Sequence, residues 1–176
     1  MKKFCIIFLT TIIIILSAVG VAGRETTEQK GEFLRIHIRA NSNLEIDQSV
    51  KYEVRDNVVE FLTPVVAESV DREDAEEKLC LHLSKIEAVA KETLRKAGFA
   101  YGATAKVVTE NFPTRVYGEY TLPAGEYRAL VLSLGEGKGD NWWCVVYPPL
   151  CFTSATNPVY KSKIVELIKR WQAGTS

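Results

Sequence analysis

The sequence predicts an α+β fold: an antiparallel β-meander sheet with two long helices packed on one face, an N-terminal signal or anchor helix and a short C-terminal helix. Three observations predict it. Residues 33–39 alternate apolar and polar, the pattern of a strand with one apolar side. Two stretches between 45 and 97 repeat apolar residues at three and four. From Thr104 onward, short alternating runs are separated by Asn-, Pro- and Gly-rich turns.

The chain opens with Met1-Lys2-Lys3, followed by an apolar run from Phe4 to Val21 and small residues at Ala18, Gly20, Ala22 and Gly23. A basic start, an apolar middle and a small-residue exit make an export signal. The run is also long enough to span a bilayer, since about 20 apolar residues suffice. Lys2 and Lys3 would then stay on the cytoplasmic side. Residues 1–23 are therefore read as export signal or membrane anchor, 24–31 as a flexible tether and 32–176 as one α+β domain.

In Phe33-Leu-Arg-Ile-His-Ile-Arg39, Phe33, Arg35, His37 and Arg39 share one face, and Leu34, Ile36 and Ile38 the other. Ser42-Asn-Leu-Glu45 offers a capping box for the helix that follows. Its core face is Ile46, Val50, Val54, Val58, Phe61, Leu62 and Val65, and Pro64 should end or bend it. A second helix is predicted from Asp71, with the stripe Ala75, Leu79, Leu83, Ile86, Ala90, Leu94 and Ala97. Gly98-Phe99 supplies its left-handed stop. Thr104–Glu110 and Arg115–Thr121 flank Asn111-Phe-Pro-Thr114, a candidate hairpin. Glu126–Leu134 alternates again, and Gly135–Asp140 reads as a mobile loop leading into the strand Trp142–Tyr147. Val159–Trp171 reads as a final helix docking through Ile164, Leu167, Ile168 and Trp171.

Composition narrows the function. Removing Lys2 and Lys3 from 22 basic and 22 acidic residues leaves 20 against 22. No basic surplus remains to attract nucleic acid or anionic lipid, so neither is expected as a partner, and a membrane enters only through the N-terminal segment. Two histidines, His37 and His82, with no ligand pair at helical spacing do not build a metal site, and no cofactor is expected.

The chemistry concentrates in Asn141-Trp-Trp-Cys-Val-Val-Tyr-Pro-Pro-Leu-Cys-Phe152. A segment that only fills a core would use residues without donors that need partners. Cys144 and Cys151 are seven apart. A disulfide needs their Cα atoms within about 7 Å, whereas an extended chain would separate them by over ~20 Å. Pro148 and Pro149 favour the required reversal, and an exported chain permits the bond. Cys80, left alone, is read as an inert small hydrophobe beside a helix stripe. The competing reading makes Cys144 a nucleophile with His37 as base, oriented by Asn141 or Asn41, in an exported hydrolase acting on a wall or peptide bond. Both readings stay open at this point.

A second polar constellation runs from His37 through Asn41 to Asp47, Lys51, Arg55 and Asp56. Asp47 and Lys51 are spaced for an i,i+4 pair. Lys51 and Arg55 repel at the same spacing, so one of them needs another partner, such as Asp56 of a neighbouring chain or a sheet residue. The stretch is either a solvated helix face with ordinary caps or a functional patch at the strand-to-helix corner.

Arg35-Ile-His-Ile-Arg-Ala-Asn-Ser42, Asp47-Gln48, Lys51 and Val54-Arg-Asp56 resemble the opening of stage II sporulation protein R of endospore-forming bacteria. The likeness continues through Leu122-Pro-Ala-Gly-Glu-Tyr127, Ala129-Leu130 and Gly135–Asn141, and ends in Trp142–Phe152, covering most of residues 33–152. Asn43, where Asp is expected, and Tyr147, where Phe is usual, depart from it. The resemblance implies a signalling protein made in the forespore and exported into the space between the two membranes around it. There it would activate a membrane-embedded aspartic protease of the mother cell, which processes the sigma factor E precursor. On that reading the protein is a ligand without catalytic residues. Its contact or signature residues would be His37, Asn41, Asp47, Lys51, Arg55, Asp56, Asn141, Trp142 and Trp143, with aromatic and Arg side chains dominating binding. A structural wall or coat component is the third reading.

Overall fold

A computed structural model describes residues 31–118, 120–152 and 158–174, the side chains of 158–162 excepted. The export segment 1–23 and nearly all of the tether lie outside the described residues. The body belongs to one unit, Phe33–Ser176. Its elements run β1 (Leu34–Arg39), α1 (Glu45–Ala67), α2 (Arg72–Lys96), β2 (Ala103–Phe112), β3 (Arg115–Tyr117), β4 (Tyr120–Leu122), β5 (Gly125–Leu134), β6 (Asn141–Tyr147), a 3-10 turn (Leu150–Phe152) and α3 (Pro158–Gly174).

The α+β class holds, with both long helices sharing one core with a single face of the sheet. The strand order is not a meander. The four-stranded sheet runs β2-β5-β1-β6, with β1 inserted between β5 and β6, parallel to the former and antiparallel to the latter. An interior strand is covered on both faces, which is why every residue from Leu34 to Ile38 is buried. The hairpin expected around Asn111–Thr114 also changes. β2 keeps pairing with β5 as far as Phe112 opposite Gly125. Residues 113–124 are therefore looped out, and β3 and β4 pair only with each other as a separate arm.

The helices follow their stripes. In α1, Val50, Val54, Val58, Leu62 and Val66 are buried at i+4 spacing, whereas Ile46 is 62% exposed and lies outside the core. The capping box does not form. Leu44 is the N-cap without a side-chain cap bond, while Ser42 Oγ donates to Asp47 and accepts from the Leu44 N–H. Pro64 removes one N–H, yet the helix continues to Ala67. Asp71 caps α2 by accepting from the Asp74 N–H at 2.8 Å. Gly98, at φ 83°, closes it: Phe99 N–H reaches Leu94 O at 2.9 Å and Gly98 N–H reaches Arg95 O at 3.1 Å. Cys80 lies beside the stripe and is exposed, not packed as a small hydrophobe, since it follows Leu79 and is rotated away from the core. Ile164 and Leu167 of α3 are buried in the helix-side core, and Trp171 packs edge-on against Phe33. Among the described residues, no helix is long and apolar enough to cross a membrane.

Candidate functional site

The two signature stretches meet at one corner. Asn41 Oδ1 accepts from Glu136 N–H at 3.0 Å, and Asn43 Oδ1 accepts from Asp140 N–H at 2.6 Å. The backbone carbonyls of Ala40 and Asn41 accept from Gly139 and Lys138. The loop read as mobile is thus tied at four points. Its glycines are required by contact as well as conformation. A Cβ on Gly135, at φ 55°, would lie 2.2 Å from Asn41 Oδ1, and one on Gly139 would lie 2.2 Å from the Ser42 carbonyl.

Asp47 sits beneath this corner, buried, accepting from Ser42 Oγ at 2.5 Å, Tyr101 Oη at 2.5 Å and Asn41 Nδ2 at 2.9 Å. Burial alone would push its carboxyl up, but the hydrogen bonds from Ser42, Tyr101 and Asn41 outweigh it and hold the pKa below the ordinary value. With its oxygens so occupied, Asp47 does not form the expected pair with Lys51. The buried Lys51 ammonium donates instead to Gln48 Oε1 at 2.6 Å and the Asp140 carbonyl at 3.1 Å. Burial lowers its pKa, opposed by Asp140. Arg55 pairs with Asp56 of its own chain at 2.7 Å.

The far face of the sheet, read as polar, is an aromatic cluster around two buried basic side chains. His37 stacks on Trp143, 3.7 Å between centroids, and its Nδ1 lies 2.7 Å from Glu110 Oε2. Glu110 also pairs with Arg39. Burial holds the His37 imidazole neutral, its pKa pushed down to about 4. Asn141 pulls back toward the charged form and Arg39 and Arg35 push further down. Glu110 favours the imidazolium as well, but it shares its charge with Arg39, so burial prevails. Arg35 lies against Phe112, Tyr127 and Tyr117, its ζ carbon 4.1, 4.8 and 5.6 Å from the ring centroids.

This geometry separates the nucleophile from its base. On β6, Asn141, Trp143 and Val145 share the His37 face, whereas Trp142, Cys144 and Val146 face the helices. Cys144 is 7% exposed and bonded to Cys151, with Cα atoms 6.2 Å apart. Val145 N–H donates to Cys151 Sγ at 3.0 Å, so the sulfur covers part of the β6 edge. The two adjacent indoles point to opposite faces.

Of the residues named from sequence, His37, Asp47 and Lys51 are buried and hold the fold from within. Asn41 does the same from a half-buried position. Asn141 and Asp56 are exposed, and Arg55, Trp142 and Trp143 are half-buried. The Arg55 guanidinium lies 5.7 Å over Trp142 and 4.9 Å over Tyr52, which is 45% exposed. Sequence reasoning missed Tyr52, Glu110 and Arg35. Arg35 was visible as the same-face neighbour of His37, whereas Glu110 lies two strands away and carries no local signal.

Residues 30–157 match the family model described as Stage II sporulation protein R. The chain is 37% identical over 166 residues to Stage II sporulation protein R of Bacillus subtilis (strain 168), covering 89% of this chain and 74% of that protein. No solved structure matches it. With the signature stretches interlocked and the match running through both, the chain belongs to the stage II sporulation protein R family.

Proposed function

We propose that this protein is an exported intercellular signal of sporulation that activates a membrane-embedded aspartic protease in the mother-cell membrane, leading to processing of the sigma factor E precursor. Family membership supplies the process. The apolar run Phe4–Val21 behind Lys2 and Lys3 supports export from the forespore into the intermembrane space, as a secreted or N-terminally anchored form.

The observation that carries the ligand reading is the surface of Tyr52, Arg55 and Trp142. Trp, Tyr and Arg dominate binding energy at protein interfaces, and these three lie on the tied corner, so little ordering cost opposes binding. Asp56 and Asn141 supply a polar rim. The reading is tested by Tyr52→Ala, Arg55→Ala and Trp142→Ala in sporulating cells, following the sigma factor E precursor by immunoblot. Loss of processing is expected while the accumulated protein stays at wild-type level. Normal processing in all three variants would overturn it.

A further inference from the structure

β1 brings two incompletely bonded polar side chains into one buried space. Arg35 is fully buried and His37 is 2% exposed, two residues apart on the far face of the sheet. Arg35 Nη2 donates to the Tyr117 hydroxyl at 2.6 Å, whereas among the described residues its Nε and Nη1 have no hydrogen-bond partner, nor has His37 Nε2. Among the described residues Glu110 on this face is engaged by Arg39 and His37, and no ion pair reaches Arg35. Phe112 and Tyr127 offset part of its desolvation through their ring faces, but rings leave the in-plane N–H groups unsatisfied.

We propose that Arg35 and His37 form a binding site for a carboxylate carried by a peptide, with the β3–β4 arm as its cover and the Tyr117 hydroxyl standing in for one carboxylate oxygen. Nη2 belongs to both in-plane forks of a guanidinium, one shared with Nε and one with Nη1. A carboxylate that displaces Tyr117 from Nη2 can therefore place its second oxygen on Nε or Nη1 and gain the bidentate pair that a hydroxyl cannot make. His37 donates from Nδ1 to Glu110, so Nε2 is left as an acceptor. The ligand thus needs a donor beside its acid, which the N–H of a peptide backbone supplies.

Access requires the arm to lift. Its strands pair with each other and not with the main sheet. It is held to the body by the Tyr117–Arg35 bond, by the Tyr127 hydroxyl donating to the Pro123 carbonyl, by Gln172 donating to the Tyr120 hydroxyl, by buried Leu122 and by the edge contact of Tyr120 with Trp171. The site stands on β1 and the arm and does not depend on which receptor the protein addresses.

The test uses the full-length chain, 15N-labelled, in non-ionic detergent, following the Arg35 Nε–H and Trp143 indole N–H resonances. The probes are N-acetyl-alanyl-alanine with a free C-terminus, N-acetylaspartate amide, inorganic phosphate and sodium chloride, at equal ionic strength. Saturable shifts of both resonances with either carboxylate are expected, and the one that responds tells a chain terminus from an acidic side chain. Tyr117→Phe removes the competing hydroxyl and should tighten binding about tenfold; Arg35→Lys keeps the charge, loses the fork and should weaken it. The proposal is overturned if neither carboxylate shifts these resonances in wild type and Tyr117→Phe, if phosphate binds as tightly, or if Tyr117→Phe leaves affinity unchanged. Tyr117→Phe decides the matter even if Arg35→Lys does not fold.

Discussion

The imidazole of His37 and the indole of Trp143 stack with 3.7 Å between centroids and 18° between planes, because β1 and β6 pair these residues directly. The contact makes Trp143 part of the body, while its neighbour Trp142 turns to the other face and reaches the surface beside Arg55. The two tryptophans of one dipeptide thus have separate roles.

Trp143→Ala should lower stability by about 3 kcal/mol, the scale of a large aromatic truncation in a packed cluster. Urea unfolding followed by circular dichroism measures it. Trp143→Phe should cost far less, because a ring still covers His37. Equal denaturation midpoints for Trp143→Ala and wild type would mean that the stack does not support the fold.

Stability should fall with acid through His37. Its folded pKa of about 4 lies below the ordinary value of 6.5, so the unfolded chain binds a proton that the folded chain refuses. The contribution is complete above about pH 6.5 and is lost as pH falls toward 4, by up to roughly 3 kcal/mol. His37→Gln, which can still donate to Glu110, should flatten this part of the profile. The Asp47 carboxyl, held below its ordinary value, adds a loss at lower pH still. Unfolding free energies at pH 7, 5.5 and 4.5 for both chains check the sign.

Cys144→Ser and Cys151→Ser should behave alike, each costing about 2–3 kcal/mol through the lost closure of a short loop. The double variant should be no worse than either single one. Processing of the sigma factor precursor should decline in step with stability. A selective loss at Cys144, with Cys151→Ser active, would point back to a nucleophile.

Gly139→Ala should be among the most damaging single-methyl changes, since its Cβ meets a backbone carbonyl at 2.2 Å and not a movable side chain. A cost of about 2 kcal/mol or more is expected, within the range of strained overpacking. Hydrogen exchange at Glu136 and Asp140, whose amides bond to Asn41 and Asn43, should accelerate together if the corner is one cooperative lock.

Local rules carried the helices well. The Asp71 cap, the α2 stripe and the Gly98 stop each depend on residues within a turn or two, so spacing exposes them. The capping box at Ser42 failed because its hydroxyl donates to Asp47 and accepts from the Leu44 N–H, not from that of Glu45. The hairpin at Asn111–Thr114 failed because β2 gains more by pairing with β5 through Phe112 than by turning early. By sequence Arg35 and His37 share the polar side of β1, with nothing local to show what covers it. The aromatic residues that bury them come from strands some 70 to 100 positions later.

By itself the sequence determined the α+β class, the limits of α2, the alternation of β1 and the stretches that carry the family likeness, all of them properties of near neighbours or of residue identity. Only the tertiary structure decided that β1 enters the sheet between β5 and β6, and with it which side chains meet. Strand pairing is a contest among distant segments, settled by the burial that the whole assembly gains. A period-two pattern says which residues share a face but not what that face will touch. That is why Cys144 and His37 could be imagined together until β6 was seen to turn one toward the helices and stack Trp143 on the other.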